Sequence, residues 1–130
     1  MTRATPWLVT IILALAAPAA AQAPPAVATD RLGFTQPAAA TEPIGSFTWA
    51  IVIDGARQPL PGVTCQPAPA PAAFDCVAPF PAMTPGLHTL ELIAIRTEGT
   101  LVLESPKSAP FPVRFVVAPA APAALRIVRP

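Results

Sequence analysis

Residues 83–95 read Met-Thr-Pro-Gly-Leu-His-Thr-Leu-Glu-Leu-Ile-Ala-Ile, and this stretch decides the fold class. Pro-Gly is a turn signal, and the residues after it alternate in the manner of a β-strand. One face of this strand carries His88, Leu90, Leu92 and Ala94, and the other carries Thr89, Glu91, Ile93 and Ile95. The chain has 20 prolines, which remove backbone donors and break helices. We therefore predict an all-β protein.

A second strand is predicted at residues 47–53, Phe-Thr-Trp-Ala-Ile-Val-Ile, which are nearly all apolar. This composition is typical of a strand at the centre of a sheet, with little solvent on either face. Trp49 shares a face with Phe47, Ile51 and Ile53, so we expect it in the core rather than as an exposed platform for sugars. Asp54-Gly55 ends the strand in a turn.

Shorter strands are predicted on both sides of this pair. Arg31 to Gln36 places Leu32 and Phe34 on one face, and Pro112 to Val117 does the same for Val113, Phe115 and Val117. Leu101 to Leu103 continues the preceding strand or pairs back on it. The segment Arg57 to Pro85 is expected to be irregular, apart from a strand at Phe74 to Val77. The predicted core consists of Trp49, Ile51, Ile53, His88, Leu90, Leu92 and Phe115.

Residues 1–21 have the features of a secretory signal peptide. Arg3 precedes an apolar run that is shorter than the roughly 20 residues of a membrane-spanning helix. Small residues follow, and we expect cleavage after Ala21. Ala23 is the second choice, because Pro24 would then adjoin the scissile bond, and an uncleaved anchor is the alternative. The mature protein is expected to be periplasmic or secreted, with no integral membrane segment.

Composition argues against two classes of partner. Removal of Arg3 reduces the eight Lys and Arg residues to seven, against seven acidic residues, so the mature chain is formally neutral. A single Lys and scattered Arg residues form no basic stripe for nucleic acid. No basic amphipathic helix favours a membrane surface. The excess of Ala, Pro and Arg is typical of GC-rich bacterial coding.

Cys65 and Cys76 are the only cysteines. An exported chain meets an oxidising compartment, where an even pair normally closes, so we predict one structural disulfide. A redox dithiol and a metal pair are the alternatives, and both usually require closer spacing or more ligands.

Three segments together resemble a fibronectin type III domain. They are the strand that ends in Ile53-Asp54-Gly55, the turn and strand of residues 83–94, and Ser-Pro-Lys-Ser-Ala-Pro at residues 105–110 before a last strand. The resemblance covers Arg31 to Val117 and implies a seven-strand fibronectin type III or immunoglobulin-like sandwich. In that family a Leu-x-Pro-Gly group precedes a Tyr that bonds upstream backbone. Met83 stands for the Leu, and His88 lies nearest the Tyr position.

The domain boundaries follow from this resemblance and from composition. Residues 22–30 are a Pro/Ala-rich stem or weak edge strand, residues 31–117 the sandwich, and residues 118–130 a Pro/Ala-rich tail.

Catalytic chemistry has little support in the sequence. His88 is the only histidine, and its alignment with Leu90 and Leu92 predicts a buried corner residue bonded to backbone. The three serines, Ser46, Ser105 and Ser108, lie outside any Gly-x-Ser-x-Gly elbow. The acidic residues show no calcium-loop spacing. We expect no enzyme activity, no metal and no cofactor.

The resemblance implies a domain that spaces, displays or binds. We therefore expect an exported, non-catalytic interaction or structural module whose partner is a protein or a cell-envelope glycan. Its candidate interaction loop runs from Arg57 to Pro81 and includes Phe74 and Phe80; edge strands that accept a partner's strand are a second candidate. A carbohydrate-binding or enzyme-accessory module is the alternative, and it predicts solvent-exposed aromatic side chains, with Phe74 and Phe80 as the candidates. A small hydrolase that uses His88 is the third hypothesis.

Overall fold

In the computed structural model, the described residues are 22–38, 43–69 and 72–130. The signal peptide predicted at residues 1–21 lies outside them. Apart from one short 3₁₀ turn at Ile44–Ser46, all regular secondary structure in the described residues is β, and the strands form two sheets that pack together. The prediction of an all-β protein is confirmed. Across these ranges, no helix is long and apolar enough to cross a membrane.

The described residues contain nine strands, of which eight lie within residues 31–117, where seven are expected. They are β1 (Pro25–Ala26), β2 (Arg31–Pro37), β3 (Phe47–Ile53), β4 (Ala56–Pro59), β5 (Thr64–Pro67), β6 (Ala73–Pro79), β7 (Gly86–Glu98), β8 (Leu101–Glu104) and β9 (Phe111–Phe115). The larger sheet has the order β1-β9-β7-β3-β4, with β8 also paired to β7. The smaller sheet has the order β2-β6-β5. Only β1 and β9 pair in parallel.

The β3–β7 pair is the centre of the larger sheet. Its antiparallel register runs from Phe47 opposite Arg96 to Ile53 opposite Leu90. The predicted faces of both strands are confirmed. Trp49, Ile51 and Leu90 belong to the main core between the sheets, whereas Ala50 and Ile93 belong to a second cluster on the opposite face.

The predicted core residues differ in burial. Trp49, Ile51, Leu90 and Phe115 are buried, and Ile51 is completely inaccessible to solvent. Ile53 and Leu92 are partly buried and pack against the same cluster. The His88 side chain lies at the margin of the core and is 11% exposed.

Two predicted segments need correction. The segment from Arg57 to Pro85 is less irregular than predicted: the strand expected at Phe74 to Val77 is present within β6, and β4 and β5 are additional strands. Each of these three strands ends in a proline, where a missing N–H leaves few ladder bonds unmade. Val117, predicted to face the core with Val113 and Phe115, lies beyond the end of β9 and is 63% exposed.

The disulfide between Cys65 and Cys76 is present. The two residues face each other directly in the β5–β6 register, with their Cα atoms 4.1 Å apart. Cys76 is buried in the main core, so the bond ties the edge strand β5 to the body of the smaller sheet.

We predict that replacing Cys65 and Cys76 together by alanine lowers the free energy of unfolding by about 3 kcal/mol, because the unfolded chain gains loop entropy. Urea unfolding of the variant and of the parent measures this difference. Reducing agent should destabilise the parent and leave the variant unchanged. An equal response of both proteins to reduction would contradict the prediction.

We predict that Ile51→Ala lowers the free energy of unfolding by about 2–5 kcal/mol, because it opens a cavity at a fully enclosed site. The matched control is Ile127→Ala, whose side chain is 87% exposed. The control should change stability by less than about 0.5 kcal/mol. Urea unfolding measures the free energy of unfolding of both variants. Similar losses in the two would show that Ile51 does not lie in the core.

Candidate functional site

The most polar cluster of the described residues forms where the β3–β4 turn meets the start of β7. Asp54 and Gly55 connect β3 to β4 with φ values of +50° and +86°. Positive φ at both central residues is typical of a type I′ hairpin turn, and Asp-Gly favours it. The Asp54 N–H donates to the carbonyl of Thr89, at 3.0 Å. The turn is thereby held against β7.

His88 closes this corner with both of its ring nitrogens. Nδ1 lies 2.6 Å from Asp54 Oδ2, and Nε2 lies 2.6 Å from the Thr84 carbonyl oxygen. The second Asp54 oxygen accepts the Thr89 N–H at 2.8 Å. Both ring nitrogens face oxygen acceptors, so this geometry fits the doubly protonated imidazolium. The expected bond from His88 to upstream backbone is confirmed.

Each member of this pair stabilises the charged form of the other. The pKa of His88 is raised above its ordinary value of 6.5, first by the Asp54 hydrogen bond and next by the Thr84 carbonyl. The pKa of Asp54 is lowered below its ordinary value of 3.8, first by the Thr89 N–H and next by His88. The two shifts both favour the charged pair.

The catalytic hypothesis for His88 requires a free ring nitrogen and a nucleophile. Both nitrogens are occupied, and the nearest hydroxyl, that of Thr84, lies 3.5 Å from Nε2. The hydroxyls of Ser46, Ser105 and Ser108 each donate to a backbone carbonyl. This arrangement provides structural bonds rather than an activated nucleophile.

A cleft of about 770 Å³ opens beside this corner. Its lining includes Asp54, His88, Leu87 and Arg114 together with residues 22–25. Because both His88 nitrogens are engaged inside the corner, the imidazole offers no free donor or acceptor to a molecule in the cleft.

Serines also complete the edge of β7 between β8 and β9. The N–H groups of Leu92 and Ala94 donate to the hydroxyls of Ser108 and Ser105, both at 2.9 Å. The N–H groups of the same two serines donate back to the carbonyls of Leu92 and Ala94. The predicted loop at residues 105–108 thus satisfies the strand edge without being a strand.

Arg57, a predicted member of the interaction loop, lies on β4 and is not in a loop. Its guanidinium binds the Glu104 carboxylate on β8 through both oxygens, with one contact at 3.0 Å. The strands β3 and β7 lie between these two residues, so the pair spans the outer face over Ala50 and Ile93. The Arg57 hydrogen bond lowers the pKa of Glu104.

Phe74 and Phe80, the other predicted members, are not exposed binding aromatics. Both are partly buried and pack against the main core. Phe80 stacks on Phe115 with ring centroids 6.3 Å apart. Phe74 shares the inward face of β6 with Cys76 and Ala78, and Phe80 follows the last residue of this strand. The sequence predicts the strand at Phe74 to Val77, but not which of its faces packs on the core.

A second, more apolar groove of about 470 Å³ lies between the two sheets. Leu32 and Phe34 of β2 form one wall, and Val113 and Phe111 of β9 contribute to the opposite wall. Phe111 is 48% exposed at its rim. The sequence indicates edge strands as candidate binding sites but not this groove, because the groove forms only when the two sheets pack together.

Comparisons of the chain with protein-family models, with curated proteins and with solved structures find no match.

The residue that sequence analysis missed is Asp54, which it assigned only to the turn. Asp54 and His88 are 34 positions apart, and no local pattern connects them. The signals in the sequence are an Asp-Gly turn and a single histidine at the start of a predicted strand.

We predict that the His88–Asp54 pair makes stability depend on pH. The raised His88 pKa contributes stability that is fully present below about pH 6.5 and is lost as pH rises through the folded-state value. The lowered Asp54 pKa contributes stability above about pH 3.8 that is lost as pH falls through its folded-state value. Urea unfolding should therefore show a larger stability loss between about pH 5.5 and pH 8.5 for the parent than for His88→Gln.

The matched control is Lys107→Gln, which removes a cation paired with Glu91 elsewhere on the sheet. This variant should keep the pH dependence of the parent. An identical pH dependence in the parent and in His88→Gln would show that the pair is not formed in solution.

Proposed function

We propose that the protein is an exported, non-catalytic interaction module with an immunoglobulin-like or fibronectin type III-like fold. The carrying observation is the strand order β9-β7-β3-β4 in one sheet and β2-β6-β5 in the other. In immunoglobulin-type sandwiches the corresponding sheets are G-F-C-C′ and B-E-D. The chain follows this arrangement if β2 is strand B and β7 is strand F.

The His88 corner supports the same assignment. In immunoglobulin-like domains a Tyr near the start of strand F bonds backbone a few residues upstream. His88 lies near the start of β7 and bonds the carbonyl of Thr84, four residues upstream. The disulfide joins β5 to β6, whereas in antibody domains it joins strands B and F. We therefore propose that the fold is related to these sandwiches but carries its disulfide at a different position.

Export is supported by the leader-like residues 1–21 and by the disulfide. A bond between Cys65 and Cys76 persists in oxidising compartments such as the periplasm or the exterior. Non-catalytic action is supported by the occupied nitrogens of His88 and by serine hydroxyls that bond backbone. The partner is proposed to be a protein, because the expected sugar-binding aromatics Phe74 and Phe80 pack inward.

We predict that expression of the full gene in a bacterium yields mature protein outside the cytoplasm, beginning at Gln22 and containing no free thiol. N-terminal sequencing and thiol labelling measure both properties. Cross-linking of the periplasmic and medium fractions, read by mass spectrometry, should give a reproducible protein partner. Retention on cell-wall glycan that is lost in both Phe74→Ala and Phe80→Ala would instead establish the carbohydrate-binding alternative. Free thiols in a cytoplasmic product would contradict the proposal.

A further inference from the structure

Among the described strands, β2 has an outer edge to which no other strand is paired. The strand β2 lies at the edge of the smaller sheet. Phe80 N–H donates to Asp30 and Ala38 N–H donates to Ala72, so the even-numbered residues of β2 bond toward β6. By the alternation of antiparallel pairing, the backbone groups of Arg31, Gly33 and Thr35 face outward. No described strand pairs with them.

Other described edges are blunted by proline or are very short. Pro25 is in β1, Pro59 is in β4 and Pro67 is in β5, and β8 has four residues. In β2 the only proline is Pro37, at its last position. Natural sheets block exposed edges with proline, charge or short strands because an open edge accepts another strand. The edge of β2 therefore has the form of a strand-binding surface.

The apolar groove runs beside this edge. Asp30, Leu32 and Phe34 line it from the β2 side. An added strand that pairs with β2 would place alternate side chains into the groove, which combines main-chain bonding with apolar contact. The occupant therefore requires a proline-free segment with apolar residues two positions apart.

The chain itself contains such a segment at residues 123–129, Ala-Ala-Leu-Arg-Ile-Val-Arg. Pro122 and Pro130 flank it. Leu125 is 99% exposed, Ile127 is 87% exposed and Val128 is 76% exposed, and no described strand includes them. These large apolar side chains have no buried contact within one copy of the protein.

We propose that residues 123–129 of one copy add as an antiparallel strand to the β2 edge of a second copy. This inference rests on the proposed interaction function and names its partner as another copy of the chain. In the register that fits, Ile127 lies opposite Leu32 and Leu125 lies opposite Phe34, with both side chains in the groove. Arg126 then lies opposite Gly33, where no side chain obstructs it.

Charge complementarity supports this occupant and this register. Among the charged side chains of residues 22–117, seven are acidic and five are Lys or Arg, whereas residues 118–130 carry two Arg and no acid. In this register Arg129 lies opposite Asp30, and Arg126 points to the face that carries Asp75. Neither acid has an ion-pair partner in the described ranges, and neither arginine has one. Arg31 lies opposite the uncharged Val128.

The contact joins two different surfaces, so it is heterologous and leaves a free edge and a free segment at the two ends of a dimer. Such contacts build open chains unless the rotation closes a ring. A single short added strand gives weak association, and cross-linking captures it better than size measurements.

The test uses two forms of the mature chain, one with Gly33→Cys and the other with Arg126→Cys. A Cβ at Gly33 meets only the Cys76 carbonyl oxygen, at 4.0 Å, so the substitution fits. Mixing the two under mild oxidation should give a covalent heterodimer, with residues 33 and 126 joined as shown by peptide mass spectrometry. The control replaces Arg126→Cys by Ala120→Cys, outside the pairing segment. Its heterodimer yield should be several-fold lower, and equal yields would overturn the proposal.

A second pair of variants tests which side chains enter the groove. Ile127→Asp, added to the Arg126→Cys chain, should abolish the heterodimer because it places a charge among apolar residues. Val128→Asp should retain it, because that position faces Arg31. Both side chains are exposed, so neither change affects folding. Equal effects of the two changes would overturn the register.

A chain that carries both Gly33→Cys and Arg126→Cys distinguishes pairing between two copies from pairing within one copy. Pairing between copies gives a ladder of covalent oligomers, whereas a monomer closed on itself would overturn the second-copy proposal. If these cross-links fail while a different protein is captured outside the cytoplasm, the interaction function stands and only its self-association is wrong.

Discussion

The pairing of β3 with β7 is the constraint on which the rest of the structure depends. These strands supply buried residues to both faces of the larger sheet, with Ile51 and Leu90 toward the smaller sheet and Ala50 and Ile93 on the opposite face. A slip of one residue would exchange the two faces, so the hydrophobic pattern fixes the register strongly. The smaller sheet then packs against one face of this pair, and the Arg57–Glu104 pair spans the other.

Polar contacts of two kinds complete the β3–β7 pair, one at its end and the other along the edge of β7. At one end, the His88–Asp54 pair fastens the β3–β4 turn to the start of β7. Along the edge, the hydroxyls of Ser105 and Ser108 occupy donors of β7 that no strand reaches. At the corner, a charge pair with a bond to backbone thus takes the place of the tyrosine that the family resemblance implies.

Sequence alone predicts the parts of this fold whose signals are local. Proline-free alternation gives β3 and β7 with their correct faces, and Asp-Gly gives the turn between β3 and β4. The core of β6 is predicted at Phe74 to Val77, but β4 and β5 are missed because proline interrupts their pattern, although proline is tolerated at strand ends. The bond of His88 to backbone is predictable by analogy, but its pairing with Asp54 is not. The open edge of β2 and its groove depend on where β1 pairs, which no residue pattern specifies.

The central claim is that β3 and β7 form the most stable part of the protein, and native-state hydrogen exchange tests it most directly. The account predicts that amides bonded between these strands, such as those within residues 49–53, exchange only through global unfolding. The hairpin strand β8 should open at a much lower free energy, because all four of its residues are exposed. Exchange of the β3 amides as fast as those of β8 would contradict the account.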